Sequence, residues 1–169
     1  MKLYFDILPS PIGDLLILAR EHALKEIVFQ TKNQAHQINK DWTQGSELIE
    51  LAKKELTAYF DGKLKNFSVN VNPQGTPFQR QIWKEVMTIP YGEICSYQDV
   101  ANGIDHASAC RAVGRANSQN PIPIIIPCHR VIGKSGKLTG YSGGLNRKHE
   151  LLKLEGINLE DNPSQFKLF

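Results

Sequence analysis

Apolar and polar positions change period along the chain. The β-prone stretches Lys2 to Leu8 and Leu15 to Arg20 flank a turn-rich link, Pro9-Ser-Pro-Ile-Gly-Asp14, and predict two neighbouring strands. A third apolar stretch, Leu24 to Phe29, follows the polar break Glu21-His22. Ser46 is placed to cap a helix whose apolar residues Leu48, Ile49, Ala52, Leu56, Tyr59 and Phe60 share one face, with Asp61-Gly62 as its stop. Phe67, Val69 and Val71 alternate with polar residues and predict a half-buried strand. A small α+β unit results.

Asn72-Pro-Gln-Gly-Thr-Pro77 breaks the pattern with Pro and Gly, so domains are expected over 1–75 and 76–169. Beyond it the period is helical. Thr76 can cap and Pro77 can take the first helical position, with Phe78, Ile82, Trp83 and Val86 inward and Ile89-Pro-Tyr-Gly92 as the end. Ser96-x-x-Asp99 has the form of a capping box opening a short helix through Val100-Ala101. After the turn Asn102-Gly-Ile-Asp105, a second short helix is expected over Ser108 to Asn117. Two short helices joined by a tight turn outline a helix-turn-helix.

Composition narrows the class. The chain has 169 residues, 41% apolar and 22% charged, a globular balance with room for a real core. The longest apolar runs, Leu15 to Ala19 and Ile122 to Ile126, are far too short to span a membrane. Lys2, Asp6 and two prolines interrupt the first eleven residues, unlike a signal peptide, so a soluble cytoplasmic protein is expected. Cys95, Cys110 and Cys128 are three and contain no C-x-x-C pair, which disfavours a disulfide scaffold and a thiolate zinc cage.

The charge is unevenly distributed. Residues 1–76 hold nine basic and nine acidic side chains, whereas residues 111–153 hold eight basic ones against Glu150 alone. That is either a solvated Lys/Arg surface or a polyanion-binding face. Within it, Arg111 and Arg115 are four apart among Ala109, Ala112, Val113, Gly114 and Ala116. Such a slim basic helix suits close approach to a phosphate backbone, or tight packing on a neighbour with two solvated arginines.

The candidate chemistry lies in Asn120-Pro-Ile-Pro-Ile-Ile-Ile-Pro-Cys128-His129-Arg130-Val131. Three prolines and four isoleucines predict a stiff, buried, extended segment that delivers one cysteine to a fixed place. A thiol needs a base or cation to become a nucleophile, and His129 adjoins it. Adjacent extended residues point to opposite sides, so contact requires a water or a local bend. His129 in turn needs an orienting carboxylate, for which Glu150 and Glu155 on the C-terminal helix both qualify.

Ile-Pro-Cys-His-Arg-Val resembles the active-site signature of the methylated-DNA–protein-cysteine methyltransferases, also called O6-alkylguanine-DNA alkyltransferases. Pro90-Tyr-Gly-Glu93, Ser96-Tyr-Gln98, Arg111-Ala-Val-Gly114, Asn120-Pro121, Gly140-Tyr-Ser-Gly-Gly144 and Leu151-Leu-Lys-Leu-Glu-Gly156 resemble further blocks of that family, in order. The resemblance implies an α+β protein: a small ribonuclease H-like N-terminal domain, then a mostly helical, winged-helix-like C-terminal domain carrying the helix-turn-helix. It implies that Cys128 accepts the alkyl group, with His129 as base through a water, Glu155 holding the imidazole and Asn120 fixing the turn before the cysteine segment. Tyr97 would donate a proton toward guanine N3.

The same resemblance assigns Arg111 to the gap left by a flipped base, with Ser96, Ala112, Gly114 and Arg130 on the DNA side. Tyr141, Ser142, Val131 and Lys148 would form the guanine pocket, the carbonyls of Cys128 and Val131 accepting from the exocyclic amine. No metal or cofactor is expected. Some relatives hold zinc in the N-terminal domain, but no cysteine precedes Cys95 here. The expected partner is double-stranded DNA carrying O6-alkylguanine, and the expected activity extends to O4-methylthymine. A monomer is expected. Two other readings stand beside it: a lesion-binding protein that flags the base without repairing it, against which Cys128 counts, and a Cys-His hydrolase, which leaves Arg111 without purpose.

Overall fold

The computed structural model describes residues 1–32, 37–136, 138 and 140–159. The chain forms two compact units that divide after Gln74.

The first unit holds β1 (Tyr4–Leu8), β2 (Leu15–Arg20), β3 (Ala23–Phe29), β4 (Thr43–Gln44) and α1 (Glu47–Phe60). The sheet order is β3-β2-β1-β4, with β1–β2 and β2–β3 antiparallel and β1–β4 parallel. Central β2 is buried from Leu15 to Ala19 because both sheet faces are covered. Leu16 and Leu18 pack with Phe5 and, beyond them, Trp42. Ile17 lies opposite Asp6, whose carboxylate meets Lys53 of α1 at 2.6 Å, so α1 covers the other face. Ser46 caps α1 by accepting from Ile49 N–H at 3.2 Å, a contact of a kind worth about 1 kcal/mol.

Phe67–Val71 is not a strand; within it only Val71 makes a bridge, with Leu24. The backbone N–H groups of Ser68 and Val69 donate instead to the buried carboxylate of Glu55 on α1 at 3.0–3.1 Å. Alternation reports which side chains are buried, and a carboxylate here replaces the neighbouring strand as acceptor.

The second unit holds α2 (Pro77–Val86), β5 (Cys95–Ser96), α3 (Tyr97–Gly103), α4 (Cys110–Ser118), β6 (Val131–Ile132) and α5 (Leu145–Leu154), with a 3-10 turn at Cys128–Arg130. Thr76 and Gln79 close the capping box of α2, and Pro77 is its first residue. Trp83 donates its indole N–H to the Ala116 carbonyl at 2.9 Å, tying α2 to α4. Gly75 is required nearby, because a Cβ there would stand 2.6 Å from the Trp83 ring.

Helices α3 and α4 form the helix-turn-helix, but the turn begins later than the sequence suggests. Asn102 and Gly103 remain helical, and the reversal uses Asp105 at φ 57°, a conformation Asp tolerates better than most residues. Helix α4 accordingly starts at Cys110 and runs to Ser118. The ladder between β5 and β6 is parallel, pairing Cys95 with Val131 and Ser96 with Ile132. It sets the start of α3 beside the cysteine segment. Ile94, Ile132, Leu152 and Ile157 form a core cluster there.

Candidate functional site

The cysteine segment is buried from Ile122 to Arg130 but is not uniformly extended. Ile124 has φ 76°, an uncommon conformation for a β-branched residue, and Asn120 holds the bend on both sides. Its amide donates to the Ile126 carbonyl at 2.8 Å, while its carbonyl accepts from Ile122 N–H at 2.9 Å. The chain then enters the 3-10 turn, which supplies the local bend that the neighbouring Cys128 and His129 require.

Cys128 is 2% exposed. Burial pushes its thiol up to about 11, although the Asn120 side chain, the Lys148 charge and the backbone N–H groups of Cys128 and His129 all favour the thiolate. At neutral pH the resting sulfur is therefore protonated. Lys148 is fully buried and donates to the Val131 carbonyl at 2.6 Å. Burial lowers its ammonium to about 8, with the Cys128 sulfur pulling the other way.

His129 is fully buried, its Nε2 2.7 Å from Glu155 Oε1. Burial lowers the imidazole, outweighing the pull of Glu155. Burial also acts to raise Glu155, but His129 and Arg130 overcome it and hold the carboxyl far below the usual range. The ionised carboxylate can only accept, so neutral His129 carries its proton on Nε2. Nδ1 is left as a bare lone pair with no partner among the described residues. Of the two candidate orienting carboxylates the structure brings in Glu155, the residue just past α5; Glu150 lies within α5 beside His149.

Tyr97 is half-buried at the start of α3. Its ring lies 5.9 Å from Lys148 Nζ, and its hydroxyl stands 3.6 Å from where a Cβ on Gly140 would lie. Tyr141 is buried near enough to Cys128 for the sulfur to act on its hydroxyl, while burial is the main cause raising its pKa; Ser142 is exposed. On α4, Arg111, Ala112 and Arg115 are exposed and Gly114 is half-buried beside the Tyr97 ring.

Two residues expected on the DNA side are placed otherwise. Ser96 is 3% exposed and is consumed as the cap of α3, bonding Asp99 in both directions. Arg130 is 6% exposed: Nε and Nη2 donate to Glu155 at 2.9 Å and Nη1 donates to the Ile89 carbonyl at 2.6 Å. A guanidinium enclosed in this way does not face phosphate. The carbonyls of Cys128 and Val131 each already accept one donor, Asn117 Nδ2 at 3.1 Å and Lys148 Nζ respectively.

Asn117 is the functional neighbour that the sequence reading missed. It is buried on α4 with Val113, its partner four residues earlier, and ties that helix to the Cys128 carbonyl. An Asn interrupting the apolar face of a short helix was the available signal. Among the described residues no group of three or more His, Cys, Asp or Glu could hold a metal, and no helix is long and apolar enough to cross a membrane.

Comparison with known proteins covers both units. Residues 77–157 match the family described as 6-O-methylguanine DNA methyltransferase, DNA binding domain, and residues 3–73 match its ribonuclease-like domain. A methylated-DNA–protein-cysteine methyltransferase from Methanosarcina barkeri is 48% identical over 157 residues, covering 93% of this chain and 99% of the relative. The crystal structure of Mycobacterium tuberculosis OGT in complex with DNA superposes with a TM-score of 0.81 at 45% identity, over 90% of this chain and 92% of that one.

Proposed function

Since the chain belongs to the methylated-DNA–protein-cysteine methyltransferase family, we propose that it repairs duplex DNA as a monomer by moving the alkyl group of O6-alkylguanine onto Cys128. The observation that carries this reading is the buried relay behind the cysteine. Glu155 fixes the proton of His129 on Nε2, and the bare Nδ1 belongs to the residue next to the thiol.

The thiol proton passes through a water to His129 Nδ1, and Glu155 stabilises the imidazolium. The thiolate, favoured by Lys148 and Asn120, attacks the alkyl carbon. A C–S bond forms, the C–O6 bond breaks, and its electron pair remains on the guanine. Tyr97 donates a hydrogen bond toward N3 as that charge develops and keeps its own proton in the balance; the guanine takes up one proton, equal to the one taken from sulfur, and His129 returns to neutral. The product is a thioether, which simple reduction does not reset, so each molecule acts once. O4-methylthymine fits the same chemistry.

Buried sulfur cannot reach a stacked base, so the lesion must be flipped out. Helix α4 is suited to this. Arg111 is exposed, Ala112 and Gly114 keep its face slim, and Ala109 at the N-cap offers no side-chain acceptor to the first amides. These features support minor-groove approach, with Arg111 in the vacated stack and Tyr141 and Ser142 beside the flipped guanine.

The test is mass spectrometry of the protein and its peptides after mixing with a duplex holding one O6-methylguanine. One added methyl per protein on the Cys128 peptide, absent in Cys128→Ser, is the expected result. An unmodified wild-type protein that still selects the lesion would replace this reading with lesion flagging.

A further inference from the structure

Arg130 lies next to the proposed base, yet it does not point to solvent. A 3-10 turn has three residues per turn, so Cys128, His129 and Arg130 leave its axis about 120° apart. Both His129 and Arg130 nevertheless end on one carboxylate. Glu155 Oε1 receives His129 Nε2 at 2.7 Å and Arg130 Nη2 at 2.9 Å; Oε2 receives Arg130 Nε at 2.9 Å and Gly92 N–H at 3.2 Å. The third guanidinium nitrogen is held by the Ile89 carbonyl, and the Tyr91 ring lies 5.8 Å from the guanidinium carbon. This is an enclosed fork, built to hold one carboxylate in one orientation.

We infer that Arg130 is a positioning residue of the transfer, whose fork on Glu155 keeps the His129 proton on Nε2 and the lone pair on Nδ1. The inference rests on the reading of His129 as the base. Without the fork, burial pulls Glu155 toward the neutral form, opposed by His129 and the Gly92 N–H. The pair then takes one proton from solvent, held as O–H on Glu155 donating to Nε2 and as N–H at Nδ1. A ring protonated at Nδ1 cannot accept the thiol proton. The other groups that face this pair stay in place: Lys148 acts on His129, and the Tyr91 hydroxyl feels Glu155. Cys128 lies beside Lys148 and Tyr141.

Arg130→Gln and Arg130→Lys test the inference by histidine ring 15N spectra and by single-turnover repair rates across pH, with thermal melts to establish folding. Wild type should show Nε2 protonated and Nδ1 bare at neutral pH. Arg130→Gln should protonate Nδ1, slow repair about 10- to 100-fold at pH 7, and move the acid limb of the rate profile to higher pH. Arg130→Lys, which keeps the charge without the fork, should recover part of the rate. A folded Arg130→Gln protein with the wild-type ring state and an unmoved acid limb would overturn the inference. If that variant does not fold, an unmoved limb in Arg130→Lys does so instead. His129→Gln reacting at the wild-type rate would remove the reading of His129 as base, whereas the ring spectra test the fork on their own.

Discussion

Replacing Lys148 with Met should separate stability from reactivity. The ammonium is fully buried, and burial brings it from 10.5 to about 8, so the site holds the charge poorly. At ~1.4 kcal/mol per tenfold change in proton affinity, keeping it charged costs the folded state about 3 kcal/mol at neutral pH. The substitution removes that cost, but it also deprives the Val131 carbonyl of a donor at 2.6 Å, a loss of about 1–3 kcal/mol. The two terms nearly cancel, so Lys148→Met should be as stable as wild type at pH 7, or more stable by up to about 2 kcal/mol.

The pH dependence gives the sharper check. Between about 8 and 10.5 the unfolded chain still holds a proton that the folded chain has released, so this lysine makes wild type more stable as pH rises. Cys128 and Cys95, pushed up to about 11 and about 12, act oppositely above about 9, because the unfolded chain ionises them first. Urea unfolding of the reduced proteins from pH 7 to 9 therefore isolates the lysine. Wild type should gain on the variant by roughly 1 kcal/mol over that range. Repair should meanwhile slow in the variant, since the charge that favours the thiolate is gone. A variant that is several kcal/mol less stable at pH 7, with a gap that does not vary with pH, would refute the reasoning.

Three further outcomes are expected. Glu55→Ala should destabilise the first unit by about 2 kcal/mol, because the N–H groups of Ser68 and Val69 lose their acceptor; a thermal or urea shift worth under about 0.5 kcal/mol would contradict that role. Arg111→Ala should slow repair of duplex DNA much more than reaction with free O6-methylguanine, measured as single-turnover rates, and DNA affinity should fall with salt. Equal slowing on both substrates would argue against a role in base flipping.

The local signals read well where the structure is local. The Ser46 and Thr76 caps and the stop at Asp61-Gly62 depend on neighbours within a few residues, and β1 to β3 pair in chain order; all stand within two residues of expectation. The errors come from partners that the local pattern does not specify. Val69 has the alternation of a strand, but its acceptor is a side chain, the Glu55 carboxylate on α1. Arg130 carries the charge of a DNA contact, and only Glu155, 25 residues on, reveals that the charge is spent inside. Ser96 was legible as a cap and as a DNA residue; its burial leaves the first role. Spacing alone does not separate Glu155 from Glu150; the family resemblance implies Glu155, and the structure places it just past α5, 2.7 Å from His129 Nε2.

Keeping Cys128 as a buried thiol also has a bearing on waste. A protein that works once is spent as surely by a stray oxidant or a passing electrophile as by its lesion. Thiolate is the reactive form for both kinds of accident. Access limited to 2% and a proton retained up to about 11 make the resting sulfur a poor target. On the proposed mechanism the relay takes the thiol proton as an alkyl carbon is presented to that sulfur. Intrinsic reluctance thus becomes shelf life: the pool of unreacted molecules stays available until a damaged base is brought in.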